Sequence, residues 1–475
     1  MIGVLALVLG GLMGLLAASV SDPIILIGGL LGLAVLVGTL FRPQLGLMVL
    51  IFLSYTRFSD VLVQYHNAPS VMKSFVPLLL AALVVRWAVY GDRPWGWGKA
   101  LALTVGYGLV GAASLFYAQY QSEAFTAISD YVKDVTIALV IVTLVYRGSS
   151  LRRAVWAALA AGILVGTLSV YQFLTGTFNN IYGGFAQVTY QSIMGDDFGY
   201  RIAGPVGDPN PFAFTMLMLV PLALDRLLHE RKIWLQLLAG WALVVCTAIV
   251  IVTYSRGAFV ALLVVAAFIV LRHHRNFKVI LAILLIVAAL LPFLPEKYLT
   301  RMGTLLSFLP GSTSNPMAEP SFFGRTSEMT AAWLMFVDHP LLGVGLGNSP
   351  KLYFEYAVKT GLTTVSRERG MHSLYLEIAA ETGLAGLIAF GAILLAIFLG
   401  IRRARSDLLA AGRMDLVHIV NGVEGAMVAF AVCSVVIHGT YPRYFWTLAG
   451  IAFSLVNVAR YELSVKEDEQ LDGQL

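Results

Sequence analysis

The run WLQLLAGWALVVCTAIVIVTYSRGAFVALLVVAAFIVL, residues 234–271, decides the fold. Residues 234–253 are almost unbroken hydrocarbon, and a helix of roughly 20 such residues matches the thickness of a bilayer core. The turn Tyr254-Ser255-Arg256-Gly257 follows, and residues 258–271 return as a second apolar stretch. Two apolar helices joined by so short a turn form a membrane hairpin, with one arginine held at its tip. The alternation expected of a lipid-facing barrel strand is absent.

The same pattern extends in both directions. Candidate spans are 2–20, 24–41, 45–63, 74–91, 100–117, 127–146, 154–174, 210–228, 234–253, 258–271, 278–294, 373–400, 416–438 and 444–460. The fold class is therefore an all-α polytopic membrane protein with about 12–14 transmembrane helices. Composition agrees: 58% of residues are hydrophobic and 12% charged, against about 25% charged in a soluble domain. Met1 to Val20 lacks a basic leader and reads as a retained first span rather than a signal peptide. Cys246 and Cys433 lie inside apolar runs with no metal-ligand spacing and read as small core residues.

Charge sets the topology. Arg42, then Arg93 and Lys99, then Arg147, Arg152 and Arg153, then Arg226, Arg231 and Lys232, then Arg272, Arg275 and Lys278, then Arg402, Arg403, Arg405 and Arg413 occupy every second loop. Short basic loops stay in the cytoplasm, which places both termini there. The net charge of +5 is thus a topology signal and implies no nucleic-acid partner. The expected organisation is a helical bundle over 1–294, a periplasmic loop or cap over 295–372, C-terminal spans over 373–460 and a cytoplasmic tail over 461–475, polar and unstructured from Ser464 on. Gly311 to Pro320 reads as a flexible link.

The opposite loops face the periplasm, and they carry the candidate chemistry. Arg201 precedes Pro209-Asn210, Arg256 sits in the tight turn, and Arg325, His339 and His372 belong to the long 295–372 loop. Outward arginines run against the positive-inside tendency, and the guanidinium fork suits bidentate phosphate recognition. Together they fit an anion site for a lipid-linked pyrophosphate. Gly343, Gly345 and Gly347 would let backbone N–H groups approach an anion or sugar. Plainer readings stand beside each: Arg256 snorkelling to headgroups, Arg325 pairing with Glu328 at i,i+3, and His339 capping a turn before Pro340. Asp196 and Asp197 have no third ligand nearby and read as a solvated pair.

These residues carry a resemblance. Arg201 with Pro209-Asn210, Ser255-Arg256-Gly257, Gly324-Arg325 with Trp333, His339-Pro340-Leu341-Leu342-Gly343-Val344-Gly345, and His372-Ser373-Leu374-Tyr375-Leu376-Glu377 with Gly383-Leu384-Gly386 resemble the O-antigen ligase (WaaL) family of the O-antigen ligase/polymerase superfamily. The resemblance covers roughly residues 200–400 in specific motifs. It implies a GT-C-like fold in the bacterial inner membrane, with the active site on the periplasmic side. It also implies an enzyme, a glycosyltransferase that moves a glycan from undecaprenyl diphosphate to lipid A–core without a metal or other cofactor. Arg201, Arg256 and Arg325 would hold the donor pyrophosphate. His372 would be the catalytic base, with His339, Asn210, Tyr375 and Glu377 in support. O-antigen polymerase and protein O-oligosaccharyltransferase use the same donor and remain open. A lipid-linked oligosaccharide flippase is disfavoured, because the polar candidates gather on one side of the membrane.

Overall fold

A computed structural model describes residues 32, 34–91, 96–194, 197–272, 277–290, 292, 294, 296–305, 320–363, 367–437 and 442–472. The protein is an all-α polytopic membrane protein. Among the described residues, eight helices are long and apolar enough to cross a membrane. A ninth arises if α1 (Pro43–Thr56) and α2 (Phe58–His66), bent by 56°, form one broken span. The eight are α3 (Val71–Tyr90), α4 (Trp97–Ala113), α6 (Gly148–Thr175), α7 (Pro209–His229), α8 (Ile233–Val252), α14 (Leu374–Ala410), α15 (Met414–Cys433) and α16 (Pro442–Asp472).

The expectation of 12–14 spans meets this count at specific places. Span 2–20 and most of 24–41 lie outside the described residues. Residues 258–271 and 278–294 form α9 (Arg256–Arg272, 17 residues) and α10 (Phe277–Leu290, 14 residues), at or below the lower length limit of about 17. Span 127–146 is helical within α5 (Gln121–Leu144) but carries Asp130, Lys133 and Asp134. Asp134 is buried and faces Arg443, which also reaches Asp60 at 3.3 Å. A charge inside a span is tolerated when it is paired in this way.

The bundle is built around α7, buried from Pro209 through Arg226 except at Asn210. Its start is fixed by local chemistry: Asp208 accepts the Asn210 N–H at 2.9 Å, and Pro209 takes the first helical position. α8 packs on one flank and α15 on the other. Gly422 and Gly425 allow the second contact. A side chain on Gly425 would meet Pro221 Cβ at 2.7 Å, and one on Gly422 would meet Asp225 Cβ at 3.2 Å.

The two ends of the bundle differ. The site end holds the hairpin β1 (Gln187–Met194) and β2 (Asp197–Gly204), with Thr189 opposite Arg201 and Tyr190 opposite Tyr200. Beside it lie the short helix α11 (Glu296–Gly303) and a cap of α12 (Pro320–Asp338) and α13 (Ser349–Thr360). The far end is a lattice of ion pairs. Arg226 meets Asp225 and Glu230, Arg405 meets Glu424, and Arg413 meets Asp415 and Glu462. The chain beyond Ser464 departs from the unstructured tail read from its polarity: α16 continues to Asp472, and Lys466 Nζ donates to the Ala410 carbonyl at 2.7 Å. The link expected over Gly311 to Pro320 lies outside the described residues, except that Pro320 opens α12.

Candidate functional site

The site starts from a turn and a hairpin. α8 ends at Val252, and Tyr254 takes φ 53° to reverse the chain within three residues. That reversal presents the Thr253 carbonyl to one side and Arg256, the first residue of α9, to another. On β2, side chains alternate between faces. Tyr200 and Phe198 point outward and are exposed, as is Tyr190 across the ladder, while Arg201 points inward and is 4% exposed. Arg201 Nε donates to the Thr253 carbonyl at 2.7 Å and Nη2 to Asn210 Oδ1 at 3.1 Å. Asn210 therefore holds the arginine from the N-terminus of α7.

Further cations gather around it. Arg256 is 7% exposed, which removes it from the headgroup region that a snorkelling residue would reach. It donates to Thr304 Oγ1 at 2.9 Å and Ser321 Oγ at 2.6 Å. Arg301, on α11, is 4% exposed. Burial, then the charges of Arg301, Arg325 and Arg256, push Arg201 down to about 9 against a partial offset from Asp208. It stays cationic at neutral pH, and four arginines from separate elements share one electrostatic neighbourhood. Such a cluster is stabilised by an anion of high charge density.

His372 meets Glu328, which lies one helical turn from Arg325. Arg325 and Glu328 are three apart on α12 and so share a face. The Glu328 carboxylate is fully buried; one oxygen meets His372 Nδ1 and the other meets Arg369 Nε. In place of the i,i+3 pairing expected for Glu328, its two oxygens meet these long-range partners. Gly324 makes room for one of them, since a side chain there would come within 3.1 Å of Arg369 Nη2. Ser373 caps α14 beside His372, and Leu374 N–H donates to the Ser434 carbonyl at 2.9 Å, fixing the histidine's backbone to the end of α15.

The remaining candidates fall elsewhere. His339 follows the far end of α12, eleven residues past Glu328, or roughly 16 Å along a helix, and is exposed. Tyr375 donates to the Ala431 carbonyl in α15 at 2.9 Å. Glu377 is half-buried and close enough to Tyr107 on α4 for their charges to interact. The glycine-rich turn does not leave its N–H groups to an anion. Gly343 N–H donates to His339 O, Val344 to Ala380 O, Gly345 to Glu381 O and Gly347 to the Glu381 carboxylate at 2.9 Å. Gly343 at φ 71° and Gly383 at φ 62° lie against the opposing main chain, where a side chain would approach within 2.3 and 2.4 Å. The turn is a clasp on a break in α14. Its glycines serve close backbone packing.

Beside the arginines, α7 to α11 line an apolar pocket of about 340 Å³. Its lining includes Leu243, Phe259, Ile286, Tyr298 and Met302, and the last two sit on α11 with Arg301. Arg301, Glu328 and Arg369 were not singled out in the sequence as members of the site. Arg301 does stand beside Met302 and near Tyr298 in a short amphipathic stretch, a signal that was present.

Fold and site together define a polytopic membrane protein with a buried cationic centre next to a carboxylate-held histidine. Residues 241–391 match the family model Wzy_C, described as O-Antigen ligase. The match spans just under a third of the chain and supports the O-antigen ligase/polymerase superfamily. It contains Arg256, Arg301, Arg325, Glu328, His372 and Gly383, while Arg201 lies before it. No curated protein matches the chain.

Proposed function

We propose that this protein is an O-antigen ligase of the bacterial inner membrane, transferring a glycan from undecaprenyl diphosphate to lipid A–core at the periplasmic face. The observation that carries this reading is the convergence of Arg201, Arg256, Arg301 and Arg325 beside the His372–Glu328 pair.

In the reaction, an acceptor hydroxyl oxygen bonds to the donor's anomeric carbon as the bond from that carbon to the phosphate oxygen breaks. Negative charge grows on the departing undecaprenyl diphosphate, and the arginines neutralise it in a buried setting where such stabilisation is strongest. The acceptor proton passes to His372. Glu328 faces Nδ1, so Nε2 is the nitrogen that takes it, and the carboxylate stabilises the resulting imidazolium. Attack opposite the leaving group inverts the anomeric centre. The apolar pocket beside Arg301 suits the first isoprene units of the donor.

Transfer by purified protein, with lipid A–core, a second lipid-linked glycan or a peptide as acceptor, tests the assignment. Product on lipid A–core alone is expected. Product only on the second glycan would make the protein a polymerase, and product only on peptide a protein oligosaccharyltransferase. Donor cleavage with none of them would remove glycan transfer altogether.

A further inference from the structure

The far end of the bundle holds a cluster for which glycan transfer has no use. Asp225 and His229 lie four residues apart near the end of α7, on one helical face. His418, on the first turns of α15, stands opposite. The imidazoles of His229 and His418 stack with centroids 3.5 Å apart and planes within 10°. One ligand atom from each of the three residues falls within 4.8 Å of the others.

We propose that Asp225, His229 and His418 bind a borderline divalent cation of the zinc class. Two imidazoles and one carboxylate form a donor set suited to such ions, with remaining positions left to water. The geometry of the first pair supports it. Asp225 Oδ1 stands 3.0 Å from His229 Nδ1. Ligand bonds of about 2.0–2.2 Å subtend that separation at an angle of about 90°, so the ion sits off the N···O line, and the His229 ring, whose Nδ1 also lies 3.0 Å from the Asp225 carbonyl and which is stacked on His418, turns for both imidazoles to meet it.

The surroundings hold these ligands in place. Arg226 Nε and Nη2 both donate to Asp225 Oδ2, at 2.9 and 2.6 Å, leaving Oδ1 turned toward the histidine. Outer partners of this kind orient a ligand. The Arg226 charge is answered in turn by Glu230 at 3.1 Å. His418 is placed by Gly422, one turn on, where α15 closes against Asp225 and Leu222. Asp225 is buried, while both histidines are half-buried, which gives an ion a route from solvent. Bound there, it ties α7 to α15, whose other ends hold Asn210 beside Arg201 and Ser434 beside Leu374.

Untagged, chelator-treated protein in detergent is dialysed against Zn2+, and bound metal is counted per chain. One saturable equivalent is expected, with a raised thermal midpoint. The equivalent should fall to background in His229→Gln and in His418→Gln, and persist in His339→Gln. Wild-type protein loaded with Co2+ should show the visible absorption of nitrogen and oxygen ligation, a reading that does not depend on how the variants fold. No saturable equivalent in the wild type, or an equivalent that survives both far-end substitutions, would overturn the site.

Discussion

Buried arginines occur at both ends of this molecule, and their partners differ. At the far end, Arg226 is the largest fully buried side chain among the described residues, and its guanidinium donates to the carboxylates of Asp225 and Glu230. At the site end, Arg201 is nearly as buried, yet it donates to a carbonyl and an amide oxygen, while burial first and neighbouring arginines second depress its basicity. The first arrangement is complete within the chain. In the proposed reaction, the donor's phosphates would answer the charge of the second. Burial alone does not separate a structural arginine from a binding one; the formal charge of what it touches does.

If that contrast holds, substitutions at the two ends should fail in different assays. The largest effect is expected at His372. His372→Ala should lower transfer by about a hundredfold to ten-thousandfold, with donor binding retained and no rescue by Gln. Normal turnover in this variant, with activity abolished in His339→Ala, would move the base to the other histidine. Next comes Arg226→Ala, which strands Asp225 and Glu230 and should cost about 3–5 kcal/mol of stability, read as a lowered thermal midpoint with turnover per folded molecule little changed.

Arg201→Lys sharpens the comparison from the other side. The charge remains but the planar fork is lost, so transfer should fall roughly tenfold to a hundredfold for about 1.5–3 kcal/mol of charged hydrogen bonding. Donor-free stability should change little, because the charge is kept and the ammonium can still donate to one of the two oxygens that Arg201 now meets. A large drop in thermal midpoint would mean that Arg201 is a structural residue like Arg226. The smallest effect belongs to Glu328→Gln. The amide can still meet Nδ1 but lacks the charge, and a loss of about 1 kcal/mol corresponds to roughly a fivefold fall in rate. An unchanged rate would remove Glu328 from the mechanism and leave it a partner of Arg369 only.

Much of this was legible in the chain. The apolar runs locate the helices, and the motif positions led to Arg201, Asn210, Arg256, Arg325 and His372, which the structure gathers at one end. Pairings across long sequence distances were not legible. Glu328 looked like an i,i+3 partner for Arg325, and nothing local reveals that Arg369 and His372, more than forty residues on, reach its two oxygens. The hairpin of β1 and β2 was not read from the sequence, although Val188-Thr189-Tyr190-Gln191 and Phe198-Gly199-Tyr200-Arg201-Ile202 alternate, because two short strands stand out little in a chain dominated by long apolar runs. The glycines at 343, 345 and 347 signalled close approach, and that much was right; what approaches is the main chain of α14.

The break at Gly383 has a mechanical consequence. A helix as long as α14 tilts when the bilayer around it thins or thickens, and a rigid rod would swing its tip with every such change. Here the first nine residues after Ser373 are clamped to α15 and to the 339–348 clasp, and the rod proper begins beyond the break. Leu384 and Ala385, just past the break, donate to the Pro340 and Leu341 carbonyls, so a tilt of the long segment would pull on the clasp as well as on the end that carries His372.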